Sequence, residues 1–256
     1  MEEHNKREEK QAAGEIVVKN RFTVWIENFW YHHKGAVIVV GFFLLLGIVC
    51  FAQCSTRASG DLTVSFAGSY TLDGEERAAI VDVLESIAPQ KADKSGTLTM
   101  LINDYSVYTE EELRAMCTDE KGEYSPAAFA NAKQVNSDHL KTFGTYVMAG
   151  ECAFWLVSDF VYKEQNLENL AVPLTELFDT TPTSAVKEGA VGHGYAVRLG
   201  DTALYQYYDA LKVLPADTLL VMPKPIYGNI FEPTIDEEKY EECLQMYRAI
   251  VEFRAP

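Results

Sequence analysis

The chain has 256 residues and a mass of 28.7 kDa, room for one sizeable domain and an appendage. Its 22 lysines and arginines stand against 38 aspartates and glutamates, a net charge of −16. That excludes a basic nucleic-acid binder, which needs cations to displace counterions from phosphates. With 48% hydrophobic and 12% aromatic residues the chain is not disordered either.

The charge is unevenly spread. Residues 1–34 carry six cations and six carboxylates, so the whole acidic excess lies beyond residue 54. Residues 1–14 read as a polar tail. Between the two regions runs AVIVVGFFLLLGIVCFA, residues 36–52, with no charge and no proline. At about 1.5 Å per residue it reaches roughly 25 Å. Gly35 and Gln53 extend it, and Trp30 and Tyr31 stand at its start like an interfacial belt, which predicts a transmembrane helix over 35–54. A cleaved signal peptide is the rival, with Ala52 and Cys54 as small residues before a cut. The long, partly acidic stretch ahead of the apolar run favours an uncleaved signal anchor.

Lys19, Arg21 and Lys34 precede the span and only Arg57 follows it closely. The positive-inside rule then puts the N-terminus in the cytoplasm and the remainder outside the cell membrane. RFTVWIENFWYHHK, just before the span, sets Phe22, Trp25, Ile26, Phe29 and Trp30 on one helical face, as an interfacial amphipathic segment does. The competing reading is one long transmembrane helix that starts early. The expected organisation is a cytoplasmic tail with this segment (1–34), a transmembrane helix (35–54), a linker (55–60) and an extracytoplasmic domain (61–256).

In that domain strand and helix periods alternate. LTVSFAG (62–68) is strand-like. A helix follows with Thr71 or Asp73 as cap, and Ala79, Ile80, Val83, Leu84 and Ile87 form its apolar stripe. GTLTMLIND (96–104) predicts a second strand, and TEEELRAMC a short helix capped by Thr109. TDEKGEYSPAAFANAK reads as loop, and a helix is expected from 137 to 148, stopped by Gly150. CAFWLV (152–157) is apolar throughout, as a strand covered on both faces is. Ser158 or Asp159 caps the next helix, and VPLTELFD makes a helical turn. After a loop, YAVRLGD and TLLVMP (218–223) read as strands flanking the ambiguous TALYQYYDALKVL. A last helix starts at Asp236. Three consecutive strand-then-helix units predict an α/β domain with a mostly parallel sheet and helices on both faces.

MAGECAFWLVSDFVYKEQNLENLAVPLTELFD, together with the opening LTVSFAG and its helix, resembles the first lobe of extracellular solute-binding proteins of ABC importers. That resemblance, strongest over 62–180, implies a type II periplasmic-binding-protein-like fold and a ligand held between lobes. The residues after Asp179 are too few for an ordinary second lobe. The resemblance therefore implies a minimal or truncated, membrane-anchored relative.

No GxSxG, HExxH, GxxxxGK[ST] or GxGxxG motif occurs, and neither catalysis nor a metal or cofactor is expected. His139 reads as a surface residue, and His193 sits in a Gly-His-Gly turn without evident metal partners. Acidic runs at 110–112 and 236–238 suit helix N-termini. Cys117, Cys152 and Cys243 show no framework spacing, although one bridge among them remains open.

In open α/β sheets ligands meet the carboxyl ends of strands. That rule selects Ser69, Tyr70 and Thr71 after the first strand, Asn103, Asp104 and Tyr105 after the second, and Ser158 and Asp159 after the third. Their chemistry suits a polar small molecule such as a sugar or peptide. The competing reading is that Ser69, Thr71, Ser158 and Asp159 only cap helices. Tyr205, Tyr207 and Tyr208 offer stacking surface or packing. The alternative function is an interaction or regulatory ectodomain that contacts a membrane or extracellular protein.

Overall fold

A computed structural model describes residues 21–55, 60–91, 96–150, 153–225 and 237–256. The expected polar tail, most of the linker, Cys152 and the Asp236 cap lie outside the described residues. The chain divides into two units between Ala58 and Ser59.

In the first unit α1 (Arg21–Ser55) is one uninterrupted helix of 35 residues, so the aromatic segment and the apolar run share one axis. Trp25 stacks on Phe29 one turn later, with ring centroids 5.6 Å apart. Asn28–Phe51 is long and apolar enough to cross a membrane, and none of it is buried. Signal sequences share that length and composition.

The second unit starts with β1 (Leu62–Gly68) and α2 (Gly74–Ser86). Asp73 caps α2 by accepting from the N–H groups of Glu75 and Glu76, and Glu76 reaches back to the Asp73 N–H. β2 is Met100–Ser106, later than the 96–104 expected from the sequence. The cause is local: the Asp61 carboxylate takes both the N–H and the hydroxyl of Thr99, and Thr97 makes only an isolated bridge to Gln90. α3 (Glu110–Met116) carries the expected Thr109 cap.

α4 is Pro126–Ala149, starting well before residue 137. Ser125 at the cap, Pro126 at the first helical position and the alanines beyond them are a helix start, and they outweigh the polar surroundings that suggested a loop. Gly150 ends α4 at φ 68°, a left-handed position that favours glycine.

β3 (Phe154–Val157) leads into α5 (Asp159–Glu164), a 3₁₀ turn and α6 (Leu174–Leu177). β4 (Ala196–Arg198) follows. The ambiguous stretch resolves into α7 (Ala203–Tyr207) and a 3₁₀ turn, then β5 (Leu219–Val221) and α8 (Glu237–Val251).

The five strands lie in the order β2-β1-β3-β5-β4. β1 pairs parallel with β2 and with β3, whereas β5 pairs antiparallel with both β3 and β4. The sheet is therefore mixed, and the mostly parallel expectation is corrected. The short 3₁₀ and helical segments between β4 and β5 return the chain beside its own strand, with no long crossover to restore the direction.

Alternation along the strands builds two cores. Leu62, Val64, Phe66, Phe154, Leu156 and Leu220 pack with α2, α6 and α8. Ala67, Trp155, Val157, Leu219 and Val221 pack with Phe143 and Val147 of α4 and Val161 of α5. Cys117 closes α3 as a free thiol, and Cys243 is buried on α8.

Candidate functional site

From β1 the chain crosses to β2 on one side and then returns to β3 on the other, so the sheet changes winding direction between β1 and β3. Carboxyl strand ends beside such a point form the default crevice of open α/β sheets.

On the β1/β2 side the selected side chains bond to one another. Ser69 Oγ donates to Glu112 Oε2 at 2.8 Å. Thr109 adds its N–H and hydroxyl to the same oxygen. Against the desolvation of partial burial, these donors hold the Glu112 carboxyl below its usual range. The Tyr70 hydroxyl donates to Glu76 Oε1 at 2.6 Å, and this hydrogen bond, by favouring the protonated phenol, raises it above its ordinary value. Thr71 Oγ1 lies 2.7 Å from Ser106 Oγ. Asp104 is paired with Arg77 of α2. Asn103 lies opposite Ser65 in the β1/β2 register. Tyr105 is buried, edge-on to Phe143 with centroids 5.7 Å apart.

The β3 side differs. Ser158 caps α5, its hydroxyl accepting from Val161 N–H at 3.3 Å, and its own N–H donates to Ala67 O. Asp159 caps nothing. Its Oδ1 is buried without a hydrogen bond, with the nearest cation, Arg198 Nη2, 3.8 Å away, while 43% of the side chain remains exposed. Arg198 Nη1 donates to Asp217 O at 2.9 Å. Desolvation by burial, reinforced by the charge of Asp217, pushes the Asp159 carboxyl up against the opposing pull of Arg198 and Lys163. Asp159 follows β3, Asp217 precedes the antiparallel β5, and Arg198 ends β4, so the ends of three neighbouring strands converge here.

Arg198 and Asp217 were not selected from the sequence. Applying the strand-end rule to YAVRLGD as a fourth strand finds Arg198; Asp217 follows only from the reversed direction of β5. The histidines lie elsewhere. His139 is half-buried, with Nδ1 3.0 Å from Ser106 O, so it satisfies a carbonyl at the end of the edge strand and is more than a surface residue. His193 Nδ1 lies 3.1 Å from Val186 O. Among the described residues no group of three His, Cys, Asp or Glu side chains is placed to hold a metal ion.

No protein-family model, curated protein or solved structure matches this chain. Its class rests on its own architecture: an α/β domain with a five-stranded mixed sheet, joined to an N-terminal helix long and apolar enough to cross a membrane.

Proposed function

We propose that the chain is a single-pass membrane protein with a cytoplasmic N-terminus and an uncleaved anchor. Its domain, solute-binding-like and extracellular, binds a polar small molecule without catalysis. The observation that carries this reading is Asp159, an acid at the switch-point edge that serves no cap and faces Arg198 across a gap too long for a hydrogen bond. A carboxylate whose ionised form is disfavoured, beside a guanidinium at strand ends, is the kind of perturbed group that binding sites hold. The two charges suit a ligand carrying a donor and an acceptor, such as an amino acid or a short peptide. The likeness of residues 148–179 to a solute-binding first lobe agrees with this edge being the ligand side.

The test is a thermal-shift screen of the full chain, solubilised in detergent, against amino acids and dipeptides. At least one probe is expected to raise Tm in the parent, and Asp159→Asn to lose that rise. No shift with any probe, or a shift that survives in the variant, overturns the reading. For the topology, protease added to intact protoplasts should degrade the domain and spare a tag at Met1. Loss of the tag reverses the orientation, and a mature N-terminus near Ser55 replaces the anchor with a cleaved signal.

A second reading, an ectodomain that contacts a protein partner, is favoured by the engaged β1/β2 side chains. The exposed Met116, Tyr124 and Val135 around α3 and the first half of α4 point the same way. It predicts no thermal shift with amino acids or dipeptides, together with cross-linking of a membrane or extracellular protein through α4.

A further inference from the structure

A second cleft, which does not include Asp159, has a composition of its own. It measures ≈500 Å³, within the roughly 300–1,000 Å³ of small-molecule pockets, and lies between the loop after α6, the start of α7 and the tail after α8. Thr180, Thr183, Ser184 and Thr202 are among its lining residues, and so is Phe253.

Two of these groups are fixed before any ligand arrives. Thr202 is 1% exposed, and its Oγ1 both donates to Leu199 O and accepts from Tyr205 N–H while capping α7. Phe253 packs against Tyr207 and Tyr208, with centroids 5.8 Å from each. Ser184 is the unusual member. It is 97% buried, and its backbone carbonyl accepts from Arg198 N–H. Yet its hydroxyl makes none of the hydrogen bonds found among the described residues, and it is not one of the sealed, unpaired atoms. A side chain so enclosed, whose remaining exposure is on a cleft it lines, presents an unused donor and acceptor there.

The charges decide the ligand class. Asp201 and Glu252 disfavour an anion, and Arg254 on the same wall disfavours a compact cation. Hydroxyls that both donate and accept, set beside a held aromatic face, match a molecule with many hydroxyls and an apolar C–H face. We propose that this cleft binds a neutral polyhydroxy ligand, a monosaccharide or the end of a glycan, with Ser184 as its buried hydrogen-bonding anchor and Phe253 as its stacking surface. The site shares no residue with the Asp159 edge and stands whether or not that edge binds anything.

The experiment uses the full chain in a detergent without a sugar head group and follows binding by titration calorimetry. Neutral probes are D-glucose, N-acetyl-D-glucosamine and erythritol; citrate and putrescine serve as charged controls. At least one neutral probe is expected to bind saturably. Ser184→Ala should weaken it roughly tenfold, because one hydrogen bond is lost, and leave the unliganded Tm unchanged, because that hydroxyl has no partner to lose. Phe253→Leu should weaken it as well, and Asp159→Asn should not alter it. The proposal is overturned if no neutral probe binds, if a charged control binds in preference, or if the Ser184 and Phe253 variants bind like the parent. It is also overturned if binding disappears in Asp159→Asn, which would move the ligand to the strand-end edge.

Discussion

The two halves of the carboxyl edge of the sheet obey one topological rule and end in opposite states. At the ends of β1 and β2, Ser69, Tyr70, Thr71 and Asp104 each find a partner among Glu112, Glu76, Ser106 and Arg77. At the ends of β3 and β4, Asp159 keeps a buried oxygen without a hydrogen bond, and Arg198 turns to the backbone of Asp217. The difference is one of supply. α2 and α3 begin with acidic first turns, and their Glu76 and Glu112 lie within reach of the nearest hydroxyls. α5 has a single acid in its first turn, Asp159 itself, and Ser158 already fills the cap. Strand ends define where a ligand can approach, and the local stock of partners decides which side chains remain for it.

The comparison breaks most visibly in the core beneath it. Trp155 is 1% exposed and sits in β3 between Ser65 of β1 and Val221 of β5. Trp155→Ala should cost about 3–5 kcal/mol in urea unfolding. Its indole N–H has no partner, so Trp155→Phe should recover much of that loss. A harmless alanine would place the strand at an edge of the sheet and dissolve the β3 half as described.

Next come the engaged side chains. Replacing Tyr70 by Phe and Asp104 by Asn together removes the hydroxyl held by Glu76 and the charge held by Arg77. The double change should lower the urea midpoint, and by less than Trp155→Ala. An unchanged denaturation midpoint would mean these contacts add nothing and the two halves are alike.

Asp159→Asn should act in the other direction. Its carboxyl is raised in the folded state, so the ionised form works against folding, and stability falls as pH rises from the unfolded pKa through the folded one. The amide should raise Tm at pH 7 by about 1–3 °C, with no gain at a pH below the unfolded pKa. A fall in Tm at neutral pH would make Asp159 structural.

An effect confined to acid pH lies at the opposite edge, where Asp61 ties the start of β1 to Thr99 and to Lys91. Against the desolvation of burial, bonds from Thr99 and Lys91 lower its pKa to about 2. A depressed acid stabilises the fold above its unfolded pKa of about 3.9 and loses that contribution as pH falls toward 2. Asp61→Asn should flatten this part of the stability profile between pH 5 and pH 2. A profile identical to that of the parent would detach Asp61 from the fold.

Much of this architecture was legible in local chemistry. LTVSFAG marks β1 at its observed limits, and Thr109 and Ser158 are the caps of α3 and α5. The start of α4 was legible too, in Ser125 and Pro126, but polar neighbours masked it. Of the candidate site, the residues at the three strand ends could be named because strand direction follows from strand-helix alternation. That Tyr105 faces the core, that Ser69 spends its hydroxyl on Glu112, and that Arg198 stands opposite Asp159 could not, since each depends on pairing across tens of residues.

The sequence alone determined the long apolar helix, the acidic character of the domain beyond it, and the alternation that makes the domain α/β. Hydropathy, charge and short-range periodicity are properties of neighbours in the chain. Only the tertiary structure decided that the sheet is mixed, because the direction of β5 is set by how the 199–218 connection folds back and not by TLLVMP itself. It alone decided which polar side chains keep each other company and which stay available, because hydrogen bonds and desolvation act between residues that only folding brings within a few ångströms.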